Sequence, residues 1–494
     1  MSKSVIIIGA GLGGLAAAIR LASNGVSVRV LEKNATLGGK VNIHRAAGYT
    51  FDTGASLLTM RHVLAELFSG AGRNVDDYLE TVALEPICRY RWPDGTMLDA
   101  STNLEKTERE IARIASRADV EGFRRFLADA RRKYEVATRT FLAYSLNDLP
   151  KLLRPRYARD LAAISSLRTL DAHVRRYFSS PHLQQLFNRF ATYNGSSPYS
   201  TPATFALIPY VEFGLGAWYV RGGMYKLPLA LAALAREFGV NIRTGAEVEK
   251  ILIERGRVCG VRLAGGEVLQ ADAVLANSDA VDTYRRLIET KARRIYTNRR
   301  LEKFEPSSSG FVMLLGVARR YPRLAHHNIF FSPDYPSEFR AIFEEGRPAA
   351  HPTIYVCASS RTDETQSPDG HENLFVLVNT PATGAQTNWT NEAKGYRDLI
   401  VRLLEENGLE GLSSAIDYEH TITPTDFERT YYANRGSIYG ISSNKRRSAF
   451  MRPPNKARDI PGLYFAGGAT HPGGGIPLVL LSGKMAAELL LRDN

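Results

Sequence analysis

One stretch near the N-terminus restricts the possible folds more than any other. Residues 5–33 read VIIIGAGLGGLAAAIRLASNGVSVRVLEK. The continuous apolar, β-branched run at 5–8 predicts a strand buried on both faces. Gly9, Gly11 and Gly14 follow in G-x-G-x-x-G spacing, with Gly13 in the same turn. Gly9 permits the tight turn, Gly11 leaves room for a pyrophosphate to approach the backbone, and Gly14 lets the following helix pack closely on the strand. Residues 15–22 predict that helix, whose free N–H groups and partial positive charge suit phosphate. Gly25 breaks it and residues 26–31 predict a second strand. Glu32 then supplies a carboxylate able to accept both hydroxyls of an adenosine ribose. A glycine turn alone carries little weight. Strand, turn, helix, strand and terminal acid in this order predict dinucleotide binding.

The C-terminal stretch repeats the device. Residues 463–491 read LYFAGGATHPGGGIPLVLLSGKMAAELLL. A strand is expected at 463–466, a turn at 467–475, and a helix from Pro477, a residue that costs no hydrogen bond in a first helical turn. Between the two devices, residues 50–53 look extended, and about 60–185 are dominated by helical periodicity and basic residues. The run 192–214 is rich in proline and aromatics. An α/β pattern returns with an amphipathic helix at 227–238, a strand at 240–243, two or three strands with turns at ERGR and AGGE, and an apolar strand at 273–276 ending in Asn277, Ser278 and Asp279. Strands GFVMLLGVA and NLFVLVNTPA follow, mixed with helices. The nucleotide-binding unit is thus expected in three pieces, 1–75, 222–285 and 445–494. A mixed-sheet unit takes 76–135 and 286–444, and 136–221 form a helical region.

Composition excludes little but does so cleanly. The 494 residues suffice for two or three domains. Lys and Arg number 63 against 51 Asp and Glu, a net +12, yet no nucleic-acid module is recognisable, so nucleic acid is not expected as a partner. The three cysteines include no C-x-x-C pair, which leaves a metal site unsupported. No apolar run reaches the roughly 18 residues that span a bilayer.

Taken together, the early glycines with Glu32, the GGK…GYTFDTG block at 38–54, RGGMYKLPLAL, AVLANSDA and the terminal THPGGGIP resemble bacterial-type phytoene desaturases, FAD-dependent carotenoid desaturases. The likeness covers essentially the whole chain, and the terminal motif is its most specific part. The resemblance implies an α/β fold of the glutathione-reductase-like FAD-binding Rossmann type, with a discontinuous nucleotide domain, a mixed-sheet substrate domain and a helical membrane-facing region. It implies FAD as cofactor and further cofactor contacts at Lys33, Gly39, Lys40, Gly54, Ala55, Ser56, Val248, Asn277, Ser278, Gly467, Gly468, Gly475, Ile476 and Pro477. This chain has Lys40 where the family often has Arg, Ala55 where Pro is usual, and Leu478 where Gly is usual. Residues 187–220 look closer to desaturases acting on already modified or shorter carotenoids.

The implied chemistry needs these parts. Taking two hydrogens from an allylic C–C bond requires a hydride acceptor, which no side chain provides and an isoalloxazine does. A helix N-terminus and a glycine turn beside its ring would stabilise the negative charge of reduction. One glycine turn is then expected to hold the dinucleotide end of a single FAD and the other its redox end. No Ser-His-Asp or paired-carboxylate set is visible. Asp148 is the candidate catalytic acid, with a helix cap as its plain alternative, and His471 reads as a structural hydrogen-bonder. The expected activity is introduction of C=C bonds into a linear polyisoprenoid, phytoene-like, diapophytoene-like or hydroxylated, with FAD as hydride acceptor. Alternatives are an amine-oxidase-like flavin oxidase and a carotenoid isomerase using FAD without net oxidation. Such a lipophilic polyene resides in membrane. The basic amphipathic stretch 150–178 is a candidate for peripheral docking on the cytoplasmic inner face, and the aromatics at 193–218 are candidate tunnel lining. The oligomeric state is left open.

Overall fold

The computed structural model describes residues 3–148, 151, 155, 157, 160, 164, 168–384, 387–445 and 452–493. Its organising element is a five-stranded parallel sheet in the order Leu463–Phe465, Ala273–Ala276, Ser4–Ile8, Ser27–Leu31, Asn241–Arg243. The first strand is central and is buried on both faces because its side chains alternate between two cores. Val5 and Ile7 join a cluster with the helices Leu12–Ala22, Lys226–Glu237 and Ile476–Arg492. Ile6 and Ile8 point the other way, into a cluster with the antiparallel sheet of Val248–Glu254, Arg257–Leu263 and Val268–Gln270. A parallel strand covered on both sides has no reason to alternate apolar with polar, which is why 5–8 reads as unbroken hydrocarbon.

The second layer is a seven-stranded sheet in the order Ile416–Ile422, Ser309–Val317, Glu372–Thr380, Ile354–Cys357, His327–Phe330, Cys88–Arg91, Met97–Ala100. Its pairs are antiparallel except His327–Phe330 with Cys88–Arg91. Here the structure departs from the helical reading of residues 60–185. Thr81–Ala83, Cys88–Arg91 and Met97–Ala100 are strands. In Cys88–Arg91 the period of two is present, with Cys88 and Tyr90 buried and Arg89 and Arg91 half-buried, but two arginines in four residues obscure it.

Helices cover one end of this sheet. The longest, Arg117–Arg139, starts on a capping box in which Ser116 and Asp119 each satisfy the other's backbone N–H. Asp119 also accepts from the Ser179 N–H at 2.7 Å, pinning the next helical turn. A phenylalanine cluster that includes Phe123, Phe126, Phe187, Phe190 and Phe213 fills the space beneath. Of the proposed basic docking stretch, residues 150, 152–154, 156, 158–159, 161–163 and 165–167 lie outside the described residues.

Candidate active site

The two glycine turns meet on one side chain. Asn277, at the end of the strand Ala273–Ala276, donates from Nδ2 to the Gly9 carbonyl at 3.3 Å. A Cβ on Gly11 would stand 2.8 Å from the same Nδ2, one on Gly13 2.7 Å from Oδ1, and one on Gly467 3.1 Å from Oδ1. The space that a methyl at Gly11 would need is therefore taken by an amide of the protein itself, a constraint the spacing did not reveal. Gly14 lies behind the turn, where a Cβ would sit 2.4 Å from the Gly9 carbonyl oxygen, so close helix–strand contact does require glycine there. Gly54 is tighter still, 1.6 Å from the Lys40 carbonyl oxygen.

These packed turns floor an elongated groove of about 320 Å³. Gly9, Gly11, Gly13, Glu32, Lys33, Gly39, Lys40, Gly54, Ala55, Val248, Asn277, Ser278, Gly467, Gly468, Gly475 and Ile476 all line it. Pro477 and Ser56 line the neighbouring cavity instead. The helix Leu12–Ala22 begins at Gly11 with no side-chain cap and no acid in its first turn, leaving its N–H groups to a ligand. Glu32 is buried and accepts from the Ala10 N–H at 2.8 Å and the Asn34 N–H at 2.9 Å, which ties strand end to turn. The Asn34 side-chain amide donates to it as well, at 3.0 Å, so of a carboxylate's roughly four lone-pair sites one remains for a ribose hydroxyl. Lys33 reaches over the Tyr432 ring at 3.6 Å, and the Arg286 guanidinium lies over the same ring at 3.5 Å. Lys40 donates to the Ser437 carbonyl at 2.8 Å and the Ile438 carbonyl at 2.6 Å, and burial lowers its ammonium to about 8 against the pull of Asp279. The Ser278 hydroxyl pairs with Thr283 at 2.6 Å. Sequence reasoning missed the wall made by Tyr431, Tyr432, Ile438 and Tyr439. No glycine signature or periodicity marks it.

The groove opens into a second space. A cavity of about 920 Å³ shares Gly54, Ala55, Phe375, Leu377, Tyr439 and Gly474–Ile476 with it. Gly475 has φ +107°, and a Cβ there would meet nothing within 4 Å, so the turn presents bare backbone at the junction. Sheet residues Ile329, Phe375 and Leu377 form one wall, and Phe205, Leu207, Ile208 and Val211 of the Pro- and aromatic-rich run form another. Leu478, where the resemblance leads one to expect glycine, also faces this space. Polar groups concentrate on the sheet side: the Ser56 hydroxyl meets Tyr355 Oη at 2.5 Å, and Tyr355 Oη meets His327 Nδ1 at 2.8 Å.

Asp148 is not brought to either space. It accepts from Arg492 Nη1 at 2.9 Å and pairs with Lys151 Nζ at 3.1 Å. Burial pushes its pKa up, but these two cations outweigh it and hold the carboxyl below its usual range. His471 is fully buried, with Nε2 on the carbonyls of Phe141 and Tyr144 at 2.9 and 3.0 Å. Burial lowers it to about 4, against those carbonyls, so it is a neutral strut under the terminal turn.

A glycine-floored groove with an uncapped helix end, running into a large, mainly apolar cavity, is the arrangement of a flavin-dependent oxidoreductase. The sequence matches the family described as flavin containing amine oxidoreductase over residues 12–491, and the chain belongs to that family. It is an FAD-dependent enzyme. It is 40% identical over 497 residues to a 4,4'-diapolycopene oxygenase of Methylomonas sp, covering 100% of this chain and 99% of that one. To a 4,4'-diaponeurosporene oxygenase of Staphylococcus aureus (strain MSSA476) it is 38% identical over 491 residues, covering 99% and 98%. Among solved structures, an oxidoreductase from Methanosarcina mazei shares the fold with a TM-score of 0.68 at 19% identity, over 98% of this chain and 100% of that chain. Cyclohexylamine oxidase from Brevibacterium oxydans does so with a TM-score of 0.62 at 17% identity, over 100% and 99%.

Proposed function

We propose that this enzyme oxidises a linear carotenoid hydrocarbon at an end of its chain, with water as the oxygen source. The terminal allylic carbon would lose a hydride equivalent and bond to a water oxygen, one water proton being released and a hydroxyl left there. The observation that carries this reading is the continuity of groove and cavity through Gly474–Ile476. A long apolar molecule reaches the redox centre only through such a passage. The cavity volume lies at the upper end of the roughly 300–1,000 Å³ typical of ligand sites. Two full-length relatives named as oxygenases of 4,4'-diapo carotenoids support the polyene class.

The side chains fit FAD, and their roles follow from the geometry. The N-terminal helix end would hold the pyrophosphate, Glu32 the ribose, Val248 the adenine side, and Gly475 with Ile476 and Pro477 the ring. When bound, FAD supplies an acceptor for a hydride equivalent removed from the substrate. The hydrocarbon walls keep bulk water from the substrate, and the Ser56–Tyr355–His327 chain can carry away a released proton along the sheet-side wall. The charged side chains on the cavity wall are Arg189, Arg300, Arg452 and Arg458 against Glu212 alone among the described residues. That balance repels an ammonium group and disfavours an amine substrate.

Desaturation of CH–CH bonds along the same polyene is the second reading. It is favoured by the residues 474–478, which present no acid or base, as suits loss of a hydride followed by loss of a proton from the substrate cation. Entry from a membrane on its cytoplasmic face is part of the proposal. Exposed Arg300 and Arg458 stand at the cavity rim, where they suit anionic headgroups.

The test is expression in cells that accumulate one linear polyene, with pigments read by absorption and mass. Gain of oxygen is expected. Loss of a hydrogen pair without oxygen selects the second reading. An unchanged polyene, with enzyme-bound flavin that stays oxidised under anaerobic conditions, overturns both.

A further inference from the structure

The apolar cavity has one corner, around Arg189, that does not match its walls: Asn194 shares the short helix Arg189–Asn194, and the Arg189 charge reaches both His327 and Tyr335. Arg189, Asn194, His327 and Tyr335 all line it and all are at least nine-tenths buried. Each keeps a polar atom with no hydrogen-bond partner: Arg189 Nε, Asn194 Nδ2, His327 Nε2 and the Tyr335 hydroxyl. A buried donor left without a partner keeps the full cost of leaving water. Three donors and one imidazole nitrogen on the wall of one cavity make a site built for an oxygen function.

The remaining atoms of these residues are anchored, so the free ones are aimed. Arg189 donates through Nη2 to Tyr90 Oη at 2.8 Å and to both Glu212 oxygens at 3.2 and 3.3 Å. Its guanidinium lies 4.5 Å from the Phe190 ring centroid. His327 is held through Nδ1 by Tyr355, itself tied to Ser56 one residue beyond the groove. Burial keeps the imidazole neutral, its pKa pushed well below the ordinary value. Thr353, on the same wall, is engaged with Glu338 at 2.7 Å.

Charge decides which acceptor fits. The Arg189 cation is already paired with Glu212, and the buried Glu338 carboxyl stands behind Thr353. An anionic ligand would have two carboxyls near it, and of the other cavity arginines Arg452 donates to the Gly468 carbonyl while Arg300 and Arg458 are exposed at the rim. A neutral oxygen meets the Arg189 N–H, the Asn194 N–H and the Tyr335 O–H as donors, and a hydroxyl can use His327 Nε2 besides.

We infer that this corner binds a neutral oxygen function, a hydroxyl or an aldehyde, on the polyene, so that a substrate already oxygenated binds more tightly than the parent hydrocarbon. This rests on the polyene reading above and goes beyond it. It places the enzyme after a reaction that has already set oxygen on the chain, or lets its own first product bind again for a further oxidation.

The experiment uses the FAD-loaded enzyme and four probes of one chain length in micelles: the polyene hydrocarbon, its terminal alcohol, its aldehyde and its carboxylate. Affinity is read by quenching of tryptophan fluorescence. The alcohol and aldehyde are expected to bind about 10-fold or more tighter than the hydrocarbon and the carboxylate. Tyr335→Phe keeps the ring and removes one donor, and should shrink that preference about 3- to 10-fold. Tyr335→Phe combined with His327→Gln tests the corner a second way if the single change is small. Equal affinity for hydrocarbon and oxygenated probes, as from a corner filled by water alone, overturns the inference and leaves the polyene reading standing. A carboxylate that binds as tightly as the aldehyde also overturns it. If no probe binds at all, the polyene reading itself falls, and this inference with it.

Discussion

The two glycine turns look alike in sequence and differ in kind. In the first, glycine is demanded by the protein's own packing. Methyl groups at Gly11 and Gly13 would collide with Asn277, and one at Gly14 with the Gly9 carbonyl. In the second, Gly475 faces open space and is held at φ +107°, a conformation that side chains resist. The first turn is a joint between strand, helix and a neighbouring strand. The second is a bare backbone surface at the junction of groove and cavity. A glycine motif therefore reports a shortage of room without saying whether the room is taken by the protein or kept for a ligand.

The contrast can be broken by substitution. Gly14→Ala sets a methyl 2.4 Å from a backbone oxygen that cannot rotate away. Overpacking costs typically about 1–3 kcal/mol, and this overlap belongs at or above the top of that range. The expected outcome is low soluble yield, a lowered Tm and loss of FAD, read by thermal melts and the flavin spectrum. Normal FAD content would show that the joint yields more readily than its geometry implies.

Acid should act on the second turn through His471. Its folded pKa of about 4 lies below the ordinary 6.5, so the unfolded chain binds the proton first as pH falls. The stability it contributes is complete above about pH 6.5 and is lost as pH drops through 4, about 3 kcal/mol in all. His471→Gln, which retains a donor for the Phe141 and Tyr144 carbonyls, should flatten this part of the denaturation profile measured between pH 4 and 7. An unchanged slope would place the acid sensitivity elsewhere.

Gly475→Ala meets no neighbour and pays only for backbone conformation, about 1–3 kcal/mol. Because the turn lies at the junction, the protein should fold and retain FAD while turnover falls by more than the Tm suggests. Equal losses in stability and turnover would mean that the second turn is a joint like the first. The smallest effect is expected from Asp148→Asn at the far end of the terminal helix, where Arg492 is about half exposed. Partly exposed pairs contribute under about 1 kcal/mol, and activity should stay within about twofold. A large loss of kcat with normal stability would return Asp148 to the catalytic role that its surroundings do not favour.

Much of the nucleotide side was legible because its signals are local. The run 5–33 contains strand, turn, helix and acid in contiguous order, and the strand at 273–276 matches Ala273–Ala276 residue for residue. The strands at 81–100 were hidden where arginines interrupt a short alternating pattern. The groove wall at 427–440 carries no pattern at all, since its residues are placed by what they pack against. The apolar cavity could be anticipated only in part, from the aromatics of 193–218, of which Tyr193 and Phe205 line it together with several of their neighbours.

Residue order alone determined that this chain builds a dinucleotide groove, because backbone conformation and side-chain periodicity are properties of neighbours along the chain. Only the tertiary structure decided that Asn277 occupies the space the glycines leave, and that Arg189, Asn194, His327 and Tyr335 share one corner. Arg189 and Asn194 lie in one stretch of the chain and His327 and Tyr335 in another, more than 130 residues on, and their effect comes from burial. A polar atom acquires its free-energy cost, and so its meaning, only when the folded chain removes it from water.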